Sequence, residues 1–247
     1  MLHSTIPPRW NDDEMPSRAS VAEALRCPFP LRINQHVQAA HEHSLRWVRR
    51  AFKDELLAQK AGRARMAWMV AGFYPSAGIA ELSLAADYLC WAFALDDLGD
   101  ETPIGERPAQ LADLFERFDA AFTSAPPATD EAAPVTALRD IVTRLRQIAT
   151  ADEVEAFRVG NQAYFGGMLW EANNRAGKWV PHESSFLMLR PAAGAVPPFF
   201  ALVEPLERLR LSPAVKGHPH VLELQRLAGG IVCWINDLLS YEKERKL

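Results

Sequence analysis

The spacing of the apolar residues constrains this chain most. Over most of its 247 residues they recur three and four positions apart, while alternating runs bounded by Asn-Gly or Asp-Gly turns are absent. An all-α protein is expected. The stretch GIAELSLAADYLCWAFALDD, from Gly78 to Asp97, is apolar nearly all round until it reaches its acidic end. A helix without a polar face belongs in the middle of a bundle. The same spacing predicts a long amphipathic helix over about 31–59, with Ile33, Val37, Leu45, Val48, Ala51 and Leu56 on one stripe. A second helix over 62–73 ends at Tyr74-Pro75, because proline disfavours helical geometry in the residue before it. Others are expected over 108–123 and 134–148, and from a Thr150–Glu153 capping box to about Asn174. One more begins at Pro181 and Glu183 and breaks over 190–198, where three prolines and Gly194 fall. The last runs from about His220 to the end.

No internal repeat or long linker divides the chain. Residues 23–247 are therefore expected to form a single α-helical domain behind a mobile proline-rich arm, residues 1–22. With 27 basic and 31 acidic side chains and no lysine or arginine run, the chain lacks the electrostatic footprint of a nucleic-acid binder. Cys27, Cys90 and Cys233 are far apart in apolar contexts and read as buried thiols in a reducing, cytoplasmic compartment. The N-terminus lacks the basic start and apolar core of a signal peptide, and no apolar run is long enough for a membrane span.

Two clusters of oxygen donors carry chemistry. Asp96, Asp97 and Asp100, followed by Glu101, crowd four carboxylates onto the end of the central helix, with Asp96 and Asp100 one turn apart. Carboxylates so close in a partly dry cavity repel one another unless protons or a hard divalent cation neutralise them. An isolated cluster of this kind is equally an acidic helix end opening into a solvated loop. Asn236, Ser240 and Glu244 stand at i, i+4 and i+8, drifting by about 40° per step, so their amide, hydroxyl and carboxylate share one helix face. Alone, they read more simply as a charged, solvated terminal helix.

Together the two clusters are specific. LDDLGDE followed by NDLLSYEKE resembles the paired metal motifs, DDxxD and ND(L/I/V)xSxxxE, of bacterial class I terpene synthases. The resemblance implies an antiparallel α-helical bundle around a central cavity. In it Asp96 binds metal directly with Asp97 and Asp100 nearby, while Asn236, Ser240 and Glu244 hold a further ion. It implies three Mg2+ ions and a linear prenyl diphosphate, most commonly farnesyl diphosphate, which is ionised and cyclised with release of diphosphate. Arg190 stands where the family carries a diphosphate-sensing arginine. Gly194 stands at the helix break that presents a carbonyl to the reacting carbon, with Ala193 in the linker position between. Lys243 matches a lysine that contacts diphosphate. The family normally continues through further helices bearing an arginine-tyrosine pair, so the chain ending at Leu247 is expected to be C-terminally incomplete and to lack part of one wall. A homodimer is the expected assembly.

Carbocation chemistry calls for walls that attract positive charge without reacting with it, which ring faces provide. Phe93, three residues before Asp96, should face the same pocket one turn deeper. Phe73, Tyr74, Trp91, Tyr164, Trp170 and Trp234 are looser candidates. His41 and His43 fall on a surface-like helix, and no histidine has zinc-site spacing. A chain-elongating prenyl diphosphate synthase would carry a second DDxxD in place of NDLLSYEKE. A catalytically impaired helical fragment acting as an interaction protein is the remaining alternative.

Overall fold

The computed structural model describes residues 29–123 and 131–244, excluding the side chains of 242–244. The expected arm, Cys27 and the side chains of Lys243 and Glu244 lie outside the described residues. Within them, regular structure is helical throughout: α1 Val37–Phe52, α2 Glu55–Ala64, α3 Met66–Phe73, α4 Ile79–Glu101, a 3-10 turn Pro103–Glu106, α5 Pro108–Ala120, α6 Ala133–Leu145, α7 Ala151–Gly177, α8 Glu183–Ala193, α9 Val196–Ala201, α10 Val203–Glu207, α11 Pro213–Lys216 and α12 Pro219–Glu244.

As its composition requires, α4 is the hub. Leu82, Ala85, Ala86, Tyr88 and Trp91 on successive faces are fully buried, and α1, α3 and α6 pack directly around it. Buried polar groups on α4 are costly unless bonded, and most find partners, although Asp87 Oδ1 has none among the described residues. Tyr88 Oη donates to Asn161 Oδ1 at 2.9 Å, and Trp91 Nε1 donates to the Pro134 carbonyl at 2.8 Å. The fully buried Asp87 accepts from Arg144 Nη1 at 2.8 Å and lies 2.9 Å from His43 Nε2. His43 is thus only partly a surface residue: its ring reaches inward to a charge that the sequence placed on an apolar helix.

The helix expected over 31–59 is two. Lys53, at φ 54°, ends α1 in the left-handed region, and Asp54 Oδ1 caps α2 by accepting from Leu57 N at 3.0 Å. The apolar stripe runs on across this corner, which is why spacing alone hides it. The capping box is present. Glu153 Oε2 accepts from Thr150 N at 2.7 Å, and Thr150 Oγ1 accepts from Glu153 N at 3.3 Å, so the 27-residue α7 starts with satisfied amides. Thr150→Ala is expected to cost about 1 kcal/mol. Urea unfolding checks this as a lower midpoint at unchanged slope, and an unmoved midpoint refutes it.

The expected break is present but built differently. α8 and the α9–α10 run diverge by 47°. The residue at positive φ is Ala195 (57°), whereas Gly194 sits at −82°. Gly194 is needed for space: a Cβ there would lie 2.6 Å from Cys233 Sγ on α12. Among the described residues no single helix is long and apolar enough to cross a membrane; α8 with α9–α10 meets that measure only as this bent pair.

Candidate active site

Between α3, α4, α7, α8–α9 and α12 lies a cavity of about 640 Å³, well within the roughly 300–1,000 Å³ range of small-molecule sites. Its walls are mostly apolar. Phe93 lines it as expected, with Phe73, Tyr74 and Tyr164, whereas Trp91, Trp170 and Trp234 do not. Trp91 is instead fully buried and stacks on Tyr88 at 5.6 Å between ring centres. Tyr74 Oη donates to the Phe199 carbonyl at 2.7 Å and Tyr164 Oη to the Ala92 carbonyl at 3.3 Å. Burial holds both phenols well above their ordinary pKa. Their hydroxyls are committed to backbone, so what they offer the cavity is ring.

The charged and amide groups lining this cavity are Asp96 from α4, Arg190 from α8 and Asn236 from α12. Two observations relate them. All three line the one cavity, and Arg190 is bonded to Asp237, the neighbour of Asn236. Residues far apart in the chain therefore line one hollow.

The rest of the aspartate cluster fans away. Asp97 and Glu101 both accept from Lys60 Nζ on α2 at 3.1 Å, and Asp100 accepts from Arg175 Nη1 on α7 at 2.7 Å. Successive helix residues point about 100° apart, so one turn cannot aim every carboxylate at one spot. Accordingly, among the described residues no three His, Cys, Asp or Glu side chains converge to hold an ion by themselves. Ser240 Oγ donates to the Asn236 carbonyl at 2.8 Å.

The groups in the cavity still suit a divalent cation. Asp96 is open to cavity water yet ringed by protein on its other sides. That enclosure, followed by Asp100 and Glu171, raises its pKa to about 7 against the opposing pull of Arg190. The Asn236 amide has no hydrogen-bond partner among the described residues. A carboxylate and an amide that both open into one cavity are oxygen donors of the kind a hard cation takes.

A pH signature follows from Asp96. A carboxylate whose folded pKa is raised burdens the fold once ionised, so its cost is absent near pH 4 and complete above pH 7. Because Asp96 is exposed to solvent, screening reduces this cost, and without metal Asp96→Asn should raise the melting temperature only slightly at pH 8, with the gain vanishing near pH 4. Equal melting of both proteins at pH 8 would contradict the shift.

Residues 87–246 match the family described as terpene synthase family 2, C-terminal metal binding, a span that takes in the second part of α4, most of the cavity lining and both motifs. The chain belongs to the terpene synthase family. It is 33% identical over 218 residues to a (+)-T-muurolol synthase ((2E,6E)-farnesyl diphosphate cyclizing) of Roseiflexus castenholzii, covering 88% of this chain and 67% of that one. It is 31% identical over 255 aligned positions to pristinol synthase of Streptomyces pristinaespiralis, covering 99% of this chain and 68% of the relative. Among solved structures, the crystal structure of germacradien-4-ol synthase from Streptomyces citricolor superposes with a TM-score of 0.75 at 28% identity, covering 89% of this chain and 72% of that one. This terpene synthase chain spans about two thirds of the length of these sequence relatives.

Sequence reasoning missed several residues that line this terpene synthase cavity or lie behind its lining. Phe199 and Phe200 on α9 line it, and only the break that turns α9 inward reveals them. Glu171 on α7 lies near Asp100, Arg175 and Arg190; burial raises its pKa, and the two arginines oppose the rise. Its signal was a lone acid after the apolar run GGMLW. Asp237 sat inside the second motif, masked by the better-known positions around it.

Proposed function

We propose that this chain is a terpene cyclase that uses Mg2+ to ionise a linear prenyl diphosphate, farnesyl diphosphate by preference, and closes the resulting cation into a ring with release of diphosphate. One observation supports this most: a cavity walled by rings and aliphatic groups, into whose lining Asp96, Arg190 and Asn236 bring its charged and amide groups. Asp96, Asn236 and, by resemblance, Ser240 and Glu244 would hold the three ions expected with diphosphate. Bound Mg2+ supplies charge neutralisation that makes diphosphate a better leaving group. Arg190 would add a charge-assisted grip on its oxygens. Phe73, Phe93 and Phe199 would face the hydrocarbon with negative ring faces that favour a passing cation. The Cys233 thiol lines the same wall, but burial raises its pKa, so it stays protonated and a poor nucleophile.

Incubation with C10, C15 and C20 prenyl diphosphates and Mg2+, followed by gas chromatography and mass spectrometry, tests the proposal. Cyclic C15 products that vanish on chelation are expected. Linear prenyl alcohol as the sole product, or none from any substrate, would overturn it. The (2E,6E)-farnesyl diphosphate in the name of the Roseiflexus relative supports the C15 choice.

A further inference from the structure

Arg190 is held in an unusual way for a residue that is to meet an anion. Its Nε donates to both carboxylate oxygens of Asp237, at 2.9 and 3.2 Å, and its Nη2 donates to Oδ1 at 2.7 Å. The pair is mostly buried, with side chains 17% and 24% exposed. A guanidinium has five N–H groups in a fixed plane. Asp237 occupies only the Nε side. Nη1 makes no hydrogen bond among the described residues, and it lies over Gly194, where a Cβ would come within 3.1 Å of it. Arg190 and Gly194 both line the cavity, whereas Asp237 does not. The carboxylate therefore grips one edge of the guanidinium, while Nη1 on the other edge lies at Gly194, which lines the hollow.

We infer that Asp237 is the positioning residue of Arg190: it turns the free Nη1 side toward the cavity and ties the end of α8 to the helix carrying Asn236. The inference rests on the proposed diphosphate chemistry. It also couples two parts of the site mechanically, because a shift of α12 at Asn236 moves Asp237 and with it the arginine.

The sign of one measurement separates positioning from mere proximity. A negative charge beside an anion site repels the anion, so a passive Asp237 predicts tighter diphosphate binding when it is neutralised. A positioning Asp237 predicts the reverse, because the freed guanidinium loses its orientation. Removing a partner that orients a binding group weakens binding by about 10- to 100-fold.

Calorimetric titration of inorganic diphosphate at saturating Mg2+ would be run on the wild type, Asp237→Asn, Arg190→Ala and the double variant. The expected result is a 10- to 100-fold loss for Asp237→Asn that disappears in the Arg190→Ala background, with partial recovery in Asp237→Glu. Unchanged or tighter binding by Asp237→Asn overturns the inference. So does an equal loss in both backgrounds, which would mean that Asp237 acts without Arg190. A flat titration for the wild type overturns the proposed function and this inference with it, whereas a binding wild type with indifferent variants overturns this inference alone. Should Asp237→Asn unfold, hydrogen exchange at the Arg190 Nε–H in the wild type decides. Protection that persists when diphosphate binds supports positioning; protection lost on binding shows a latch that must open, and overturns it.

Discussion

Asp96→Ala is expected to lower Mg2+-dependent turnover by at least about 100-fold, the scale on which removal of one electrostatic stabiliser acts in catalysis, while the protein still melts cooperatively. The reason is placement. Asp96 is the carboxylate of its cluster that lines the cavity, and it makes no ion pair among the described residues. Its neighbours are differently occupied. Asp97 shares Lys60 with Glu101 on the α2 side, and Asp100 is taken by Arg175. Asp97→Asn should therefore lose far less activity than Asp96→Ala. Steady-state kinetics on both variants, with circular dichroism to confirm folding, checks the order. Equal losses would show that the cluster acts as a unit and that the fan of side chains is irrelevant to it.

Gly167→Val is expected to destabilise the protein by about 3 kcal/mol, the upper part of the usual range for overpacking, and to remove activity as well. α7 crosses the end of α8 so closely that a Cβ at Gly167 would lie 2.6 Å from Ala193 Cα and 2.8 Å from the Ala192 carbonyl carbon. These are backbone atoms, so no rotamer change relieves the clash. The same face of α7 presents Gly160, where a Cβ would stand 2.9 Å from Pro198 N. The two glycines thus seat both sides of the bend that carries Arg190 and Gly194. Pushing α8 outward displaces the arginine, which is why activity should fall with stability. The adjacent Gly166 is the control. Nothing lies within 4 Å of a Cβ there, so Gly166→Ala should be stabilising by up to about 1 kcal/mol through helix propensity. Thermal melts of the three proteins decide it. A Gly167→Val protein as stable as the wild type would mean that α8 is free to move and that the close crossing does not fix the site.

Much of this was legible in the sequence because it depends on local periodicity. The all-round apolarity of 78–97 announced the central helix, the Thr150–Glu153 pair announced the start of α7, and the prolines after Arg190 announced the bend. Of the residues singled out there, Asp96, Arg190, Gly194, Asn236 and Phe93 line one cavity, whereas Asp97 and Asp100 turn to Lys60 and Arg175. What stayed hidden depends on partners distant in the chain. Spacing does not show that Lys60 takes Asp97, that Arg175 takes Asp100 or that Asp237 holds Arg190, because each pairing joins two helices whose relative rotation is set by packing. The glycines of α7 were equally silent, since a glycine in a helix signals a close neighbour only once that neighbour is known. The corner at Lys53 escaped because the apolar stripe runs on past it and past the cap, Asp54, without a break.

The central claim is that Asp96 on α4, Arg190 on α8 and Asn236 on α12 converge to hold one polyanion through shared cations. Thermal melting with Mg2+, with inorganic diphosphate, and with both tests it most directly. Ligand at about 100 times its dissociation constant stabilises by about 2.7 kcal/mol, which at about 2–4 °C per kcal/mol for a chain of this size is a rise of roughly 5–10 °C. That rise is expected only with both present, and it should be absent in Asp96→Ala and in Asn236→Ala. An equal rise with either component alone, or a rise that survives both substitutions, would contradict the claim.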